Sequence, residues 1–135
     1  MKGMIIIRLW HQSLISRLPR QQLLGQHREC CALRGNGWGR KHATVNYVFN
    51  YRLERLVAYH YIVMDEMIKR GYKPDDIWRN ASYRGSKCAS SPDINMNMIN
   101  DIYNLAKSNG IIYPEHDDNY LKECIENLKS KGVII

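Results

Sequence analysis

Residues 53–71 constrain the fold more than any other part of this sequence. Apolar side chains and one histidine recur there at steps of three and four residues, the spacing of one helix face: Leu53, Leu56, Val57, His60, Val63, Met64, Met67 and Ile68. Lys69 and Arg70 suit the last turn of a helix, and Gly71 suits the position after it. An amphipathic helix of this length needs other elements to cover it, so the pattern predicts an α-helical domain.

Three more segments predict helices. They cover residues 19–33, with Ser16 as the cap, residues 91–108, and a last stretch after Tyr113–Pro114. Residues 44–51 are β-branched and aromatic, which predicts a strand or a buried extended stretch. For 135 residues, the prediction is an all-α, single compact domain of three to four main helices with long connecting loops.

Positive charge is concentrated in the first half of the chain. Residues 1–60 contain ten basic and two acidic side chains, whereas residues 61–135 contain ten basic and eleven acidic ones. A basic half joined to a nearly neutral half is typical of a surface that binds a polyanion, nucleic acid first of all. It is equally typical of a basic surface without such a partner.

Glu29 is the exception to this charge pattern, because it is the only carboxylate among the first 53 residues. Gln22, Gly25 and Gln26 precede it by one or two turns on the same predicted helix face. A carboxylate inside a phosphate-binding surface weakens DNA affinity, and catalysis would explain its presence. It can stabilise an oxocarbenium-like centre or transfer a proton. The structural alternative is a salt bridge to a neighbouring arginine.

Two short motifs are further candidate sites. RGNGWG at residues 34–39 is a glycine-rich basic loop, which suits phosphates or forms a plain turn. YPEHDD at residues 113–118 offers four side chains of metal-ligand type: Glu115, His116, Asp117 and Asp118. Because acids at the start of a helix are typical of capping, neither a metal nor another cofactor is expected.

The cysteines and the hydropathy limit the environment of the protein. The four cysteines form neither a CxxC pair nor a zinc spacing, which predicts reduced thiols in a cytoplasmic protein: Cys30, Cys31, Cys88 and Cys124. The sequence shows no signal peptide and no apolar stretch of about 20 residues, so no membrane contact is expected.

Five motifs follow one another along the chain. They are RLWHQ at 8–12, LPRQQLLGQHRE at 18–29, RGNGWG at 34–39, a Lys–Arg–Gly–aromatic ending at 69–72 and YPEHDD at 113–118. In this order they resemble the pyrimidine-dimer DNA glycosylase family, both its phage endonuclease V type and its bacterial members. The resemblance covers about residues 8–72 and 112–132.

The resemblance implies a compact all-helical enzyme that binds double-stranded DNA, kinks it and flips out a base opposite the lesion. In this family the N-terminal α-amine attacks C1′ of the deoxyribose, and the resulting imine permits strand cleavage by β-elimination. The family's catalytic glutamate matches Glu29, and the arginine before it matches Arg28. The histidine of its first helix falls on Gln22.

The family's nucleophile falls near Ile7 or Arg8, so residues 1–7 are expected to be an N-terminal extension of a single DNA-repair-type domain at 8–135. Three alternatives follow for the amine. The amine of Met1 or the side chain of Lys2 takes its role, translation starts later, or the glycosylase–lyase chemistry is lost.

The expected function is that of a DNA repair glycosylase and AP lyase for damaged pyrimidines, cyclobutane dimers being the candidate lesion. The protein is expected to be a monomer in the cytoplasm, associated with the nucleoid. The expected catalytic residues are Glu29, Arg28 and Met1. The expected DNA-binding residues are Arg8, Arg20, Gln22, Gln26, Arg34, Arg40, Lys41, His42, Lys129 and Lys131. The alternatives are a non-catalytic DNA-binding protein with this fold and a metal-dependent nuclease.

Overall fold

The computed structural model describes residues 9–40 and 46–135. Within these ranges, four α-helices form the fold: α1 at Arg20–Arg34, α2 at Leu53–Lys69, α3 at Met96–Lys107 and α4 at Asp118–Ser130. Three short 3₁₀-helices accompany them: Gln12–Arg17, Asn46–Asn50 and Asp76–Arg79. These described ranges contain no strand, which confirms the prediction of an all-α fold. Within them, no helix combines the length and the apolar character that crossing a bilayer would require.

Helix α2 is the central element, as its periodicity predicts. The six successive residues from Leu56 to Tyr61 are all buried, so the middle of the helix is covered on every side. Helices α1 and α3 pack on it, and the 3₁₀-helix at Gln12–Arg17 adds a further contact. The helix ends as predicted at Gly71, which has a φ of 87°, and the Tyr72 amide donates to the Met67 carbonyl.

The start of α1 differs from the prediction. Ser16 lies inside the preceding 3₁₀-helix, and Pro19 occupies the N-cap without a side-chain hydrogen bond. The prediction that Ser16 caps α1 is therefore wrong. The physical reason is Pro19, which disfavours helical backbone at Leu18 and separates the two helices by an extended residue.

The prediction of a strand or extended stretch at residues 44–51 is also wrong for its described part. Asn46–Asn50 form a 3₁₀-helix with Val48 fully buried. A strand needs a partner strand for its backbone groups, and the described residues provide none. The β-branched and aromatic composition instead reflects burial beside the start of α4, where the Tyr47 hydroxyl contacts His116.

Capping residues determine where the last two helices, α3 and α4, begin. Helix α3 begins at Met96 rather than near residue 91, because the Asn95 side chain caps it by accepting from the Met98 amide at 3.0 Å. It closes at Asn109, as predicted, with a φ of 72°. In α4, Asp117 accepts from the Tyr120 amide at 2.9 Å. This contact confirms the capping interpretation of Asp117.

Gln12 joins the beginning of the described chain to the turn before α4. Its Nε2 donates to the Gly110 carbonyl at 2.8 Å, and its Oε1 accepts from the Ile112 amide at 2.8 Å. Its own amide donates to Nδ1 of His116 at 3.0 Å. The stretch before α1 is thereby fixed by partners 98 to 104 residues away in sequence.

Glu54 forms an acid-sensitive link between α2 and α3. Its carboxylate accepts from the Arg52 guanidinium and from the Asn95 amide, each at 2.9 Å. These contacts, the one with Arg52 foremost, lower the pKa of Glu54 from its ordinary 4.5 to about 2. The stabilisation is therefore complete above pH 4.5 and is lost as the pH falls towards 2.

We expect Glu54→Gln to lower the free energy of unfolding by about 1–2 kcal/mol at pH 7, less than the full shift because Arg52 is exposed. The loss should shrink as the pH is lowered from 5 to 3. Urea unfolding at several pH values measures it, with the exposed Glu123→Gln as the control. A loss that is equal at every pH would contradict this assignment.

Candidate active site

Glu29 lies half-buried on α1, and its carboxylate is held by a neighbouring amide. Gln26, one turn earlier, donates from Nε2 to Glu29 Oε2 at 3.0 Å. Gln26 Oε1 accepts from the Trp10 amide at 2.7 Å and lies 3.0 Å from the Tyr59 hydroxyl. One side chain thus connects the carboxylate to the stretch before α1 and to α2.

The exposed half of α1 is basic. Arg28 and Arg20 are both exposed on it, and the Arg20 guanidinium lies 5.6 Å from the centre of the Tyr72 ring. A Cβ at Gly25 would lie 3.8 Å from the Arg28 guanidinium and would meet no other described atom within 4 Å. With the half-buried Gln22, these residues form what we call the basic face of α1, and its backbone is open at Gly25.

Arg34 is fully buried, contrary to its predicted place on the DNA-binding surface. Its guanidinium donates to the carbonyls of Trp78 at 2.8 Å and Asn80 at 3.0 Å, and its Nη1 lies 3.0 Å from His60 Nδ1. Two more carbonyls of the same loop accept at longer range: Ala81 and Tyr83. A guanidinium engaged in this way cannot reach a phosphate outside the protein. The prediction that Arg34 contacts DNA is therefore wrong, and the residue anchors the loop at 78–84 to the end of α1.

Gln26 was also predicted to bind DNA, and its burial changes that interpretation. Its side chain is 1% exposed and contacts protein groups on both ends of the amide. Direct contact with DNA is incompatible with this position, so that prediction is corrected. Gln26 lies beneath the basic face of α1, under the carboxylate.

The glycine loop after α1 packs against protein backbone. A Cβ at Gly35 would lie 2.6 Å from the Arg84 carbonyl oxygen, and one at Gly37 would lie 2.7 Å from that of Ala32. These two glycines therefore permit tight packing of the loop, which favours the plain turn over a phosphate loop. Arg40, at the end of the loop, is exposed.

The end of α4 reaches the neighbourhood of Trp10. The exposed Lys131 places its Nζ 5.4 Å from the centre of the Trp10 ring, and the Trp10 amide contacts Gln26. The exposed Lys129 lies 3.6 Å from Glu126, which partly offsets its charge. Lys131 therefore lies at the ring of Trp10, the residue whose amide binds Gln26 beneath the carboxylate.

Four of the predicted site residues fall outside the described part of the chain: Met1, Arg8, Lys41 and His42. Their roles stay predictions, and so does the domain boundary at residue 7. Of the others, Arg20, Gln22, Arg28 and Glu29 all lie on α1, with Arg20 and Glu29 at opposite edges of its exposed half, because nine steps of ~100° turn the helix by ~180°. Arg40 lies beyond the C-terminal end of that helix.

His27, Cys31 and His60 bring three donor atoms within 4.8 Å of one another, the one cluster of metal-ligand type among the described residues. His27 Nδ1 lies 2.8 Å from His60 Nε2, and the Cys31 sulfur lies 3.9 Å from the Nε2 atoms of both rings. The neighbouring Arg34 decides what this cluster can bind, because its N–H groups only donate hydrogen bonds.

His60 Nδ1 therefore accepts from Arg34, and a neutral His60 carries its proton on Nε2, where it donates to His27. Burial and the Arg34 charge lower the pKa of His60 well below its ordinary value and keep the ring neutral. Burial also raises the pKa of the Cys31 thiol to about 12, which disfavours the thiolate that a metal needs. The geometry favours a hydrogen-bonded chain over a metal site.

His116, in the YPEHDD motif, is buried and uses both ring nitrogens. Its Nδ1 accepts from the Gln12 amide at 3.0 Å, and its Nε2 lies 2.6 Å from the Tyr47 hydroxyl. Burial lowers its pKa to about 3, so the ring is neutral. Neither nitrogen is available to a metal, which argues against a nuclease site built from His116, Asp117 and Asp118.

Two features of this region were missed by sequence reasoning. Tyr59, on α2, places its hydroxyl 2.6 Å from the Trp10 carbonyl oxygen as well as near Gln26. An open cavity of about 470 Å³ lies beyond the end of α1, and three basic residues line it: Arg40, Arg84 and Lys87. The basic glycine turn RGSK at 84–87 could have indicated the second feature, whereas Tyr59 has no signal in the sequence.

Comparison with known proteins identifies the family. Neither the curated proteins nor the solved structures include a match to the chain. A family model described as pyrimidine dimer DNA glycosylase matches residues 7–80, more than half of the chain, including α1, α2 and Glu29. This match confirms the family that the order of the motifs indicated. The chain therefore belongs to the pyrimidine dimer DNA glycosylase family.

Proposed function

We propose that this protein is a DNA repair glycosylase with AP-lyase activity, which acts on damaged pyrimidines in double-stranded DNA. The family description names pyrimidine dimers, and the cyclobutane dimer is the form that we propose as the lesion. The observation that carries the proposal is the half-buried Glu29 carboxylate, held by Gln26 at the basic face of α1. A negative charge in that place opposes polyanion binding, and a chemical role accounts for it.

The proposed reaction uses an amine and this carboxylate. The amine nitrogen bonds to C1′ as the glycosidic bond breaks, and the base leaves with the electron pair and is protonated. Opening of the sugar ring and loss of a proton from nitrogen give an imine at C1′. Removal of a C2′ proton then expels the 3′-phosphate by β-elimination. Glu29 is suited to stabilise positive charge at C1′ and to transfer these protons.

The amine in this proposal is the N-terminal α-amine, that of Met1 in this chain. An α-amine ordinarily has a pKa of ~7.7–8.0 and so keeps a useful neutral fraction near pH 7, whereas a lysine side chain at ~10.4 is almost fully charged. The Lys2 side chain and an N-terminus nearer Ile7 are the alternatives. The contact between the Trp10 amide and Gln26 supports an amine that precedes Trp10 in the chain, since it holds Trp10 on α1 next to the residue that binds Glu29.

Borohydride trapping tests the proposal. The protein is incubated, with EDTA present, with duplexes that carry an abasic site or a cyclobutane dimer. We expect a covalent adduct, and mass spectrometry of its peptides identifies the amine. Duplex binding without any adduct would instead show the non-catalytic DNA-binding alternative. Strand cleavage that requires a divalent metal would show a nuclease, against the hydrogen bonding of His60 and His116.

Gly25→Ala is expected to lower DNA affinity and to raise the stability of the fold. The new Cβ would make an ordinary contact with the Arg28 guanidinium at 3.8 Å. Because alanine is the better helix former, the free energy of unfolding should rise by about 0.5–1 kcal/mol. We expect duplex affinity to fall several-fold, since the methyl group covers the open backbone of the basic face of α1.

Urea unfolding and fluorescence anisotropy with a labelled duplex measure the two effects of Gly25→Ala. Gln21→Ala, at an exposed position of the same helix, is the control for helix propensity. An affinity equal to that of the unaltered protein would place the duplex away from Gly25.

A further inference from the structure

Gln26 is the buried polar side chain closest in the chain to the proposed catalytic carboxylate. It is 1% exposed, and a buried amide has to be hydrogen-bonded on both of its ends. Its oxygen faces Trp10 and Tyr59, and its nitrogen faces Glu29. The three partners belong to the stretch before α1, to α2 and to α1, so the amide lies where these parts of the fold meet.

The orientation of this amide is determined by its partners. A backbone N–H can only donate, so the Trp10 amide, at 2.7 Å, requires the oxygen of Gln26 on that side. The Nε2 group consequently points at Glu29 Oε2, at 3.0 Å, and donates to it. A rotated amide would set two donors against each other and leave the carboxylate facing an oxygen.

Tyr59 adds a third side chain to this network from α2, and its single hydroxyl proton faces the nearer acceptor, the Trp10 carbonyl. Its ring is fully buried, and burial raises the pKa of its hydroxyl well above the ordinary value, so the group remains a neutral phenol. The hydroxyl lies 2.6 Å from the Trp10 carbonyl oxygen and 3.0 Å from Gln26 Oε1. Both backbone polar groups of Trp10 therefore take part in the same small network.

We propose that Gln26 is a positioning residue, which fixes the Glu29 carboxylate relative to the backbone at Trp10. This inference rests on the proposed function, in which the carboxylate and an amine of the N-terminal region act on the same C1′ atom. A free glutamate side chain has several rotamers, and one contact from a buried, immobile amide selects among them. A misplacement of about 1 Å at such a site can cost on the order of 100-fold in rate.

Two variants of Gln26 remove different sets of its hydrogen bonds. Gln26→Met keeps the length of the side chain and removes all of its hydrogen bonds. Gln26→Glu keeps an acceptor for the Trp10 amide, and at a pH where both carboxylates are ionised it has no donor for Glu29. We expect each variant to slow single-turnover trapping on an abasic duplex by at least about tenfold, which is the rate factor that corresponds to one hydrogen bond to a charged group. The duplex Kd should stay within about threefold of that of the unaltered protein. Gln21→Met, an exposed position of α1, should change neither quantity.

A double variant distinguishes the position of the carboxylate from the packing of the two side chains. Gln26→Glu with Glu29→Gln exchanges the amide and the carboxylate, so it restores both a hydrogen bond between the two side chains and an acceptor for Trp10. We expect it to unfold like the unaltered protein and to remain untrapped, because the carboxylate has moved by one turn. Trapping restored in the double variant would overturn the positioning role.

A spectroscopic readout keeps the inference independent of activity. The side-chain amide signal of Gln26 in a ¹⁵N–¹H spectrum should move in Glu29→Gln, and the Trp10 amide should exchange faster with solvent in Gln26→Met than in Gln26→Glu. Unchanged signals, or full trapping in both Gln26 variants, would overturn the inference. No trapping by the unaltered protein would refute the proposed function alone.

Discussion

Glu29→Gln is expected to reduce borohydride trapping and strand cleavage by about 100- to 10,000-fold, the range for loss of a group that transfers protons and stabilises charge. The substitution preserves size and retains an acceptor for Gln26 Nε2, so folding should be unaffected. Duplex affinity should stay equal or rise, because a negative charge leaves the basic face of α1. Single-turnover trapping and anisotropy on the same duplex measure both effects.

Glu123→Gln, on the exposed surface of α4, is the matched control for Glu29→Gln and should behave like the unaltered protein. Two results would contradict the assignment of Glu29. Unchanged turnover would remove the carboxylate from the chemistry. Parallel losses of trapping and of duplex affinity would make it a part of the DNA-binding surface.

Arg34→Lys is expected to lower the free energy of unfolding by about 3 kcal/mol or more, although the charge is kept. The planar guanidinium donates hydrogen bonds from its two terminal nitrogens to the carbonyls of Trp78 and Asn80 and to the ring of His60. A single ammonium cannot reach all of them, and each buried acceptor left without a donor costs about 1–3 kcal/mol. Urea unfolding gives the size of the loss.

The loss in Arg34→Lys should also be visible locally. Amides in the loop at 78–84 should exchange faster with solvent, and Trp78 fluorescence should change, because the Arg34 guanidinium lies 5.0 Å from the centre of that ring. Arg17→Lys, at an exposed position, should be within about 0.5 kcal/mol of the unaltered protein. A comparably small effect of Arg34→Lys would mean that the loop is held by other contacts.

The helices were predictable where their signals are local. The spacing of apolar residues and the closing Gly71 determine α2, and Asp117 caps α4 through a neighbour three residues away. The same local reasoning failed at residues 46–50, because β-branched and aromatic side chains favour burial as much as pairing. Whether a partner strand exists is a property of the whole chain, which composition does not reveal.

The candidate site was predictable only in part, for a related reason. Glu29 stands out in the sequence because its charge opposes its surroundings, and the structure keeps it half-exposed on a basic helix. Arg34 and Gln26 were expected at the surface because most polar side chains lie there. Their partners are distant in sequence: Arg34 meets carbonyls 44 or more residues ahead, and Gln26 meets Tyr59 across 33. Such contacts exist only in the folded chain.

During translation, α1 emerges well before the residues that secure the stretch in front of it. The partners of Gln12 are Gly110, Ile112 and His116, which the ribosome adds 98 to 104 residues after Gln12. A nascent chain that stops before residue 110 therefore contains Glu29 and Gln26 but leaves Gln12 without these partners. The stretch before α1 therefore cannot make its contacts with Gly110, Ile112 and His116 until the chain has been synthesised through residue 116.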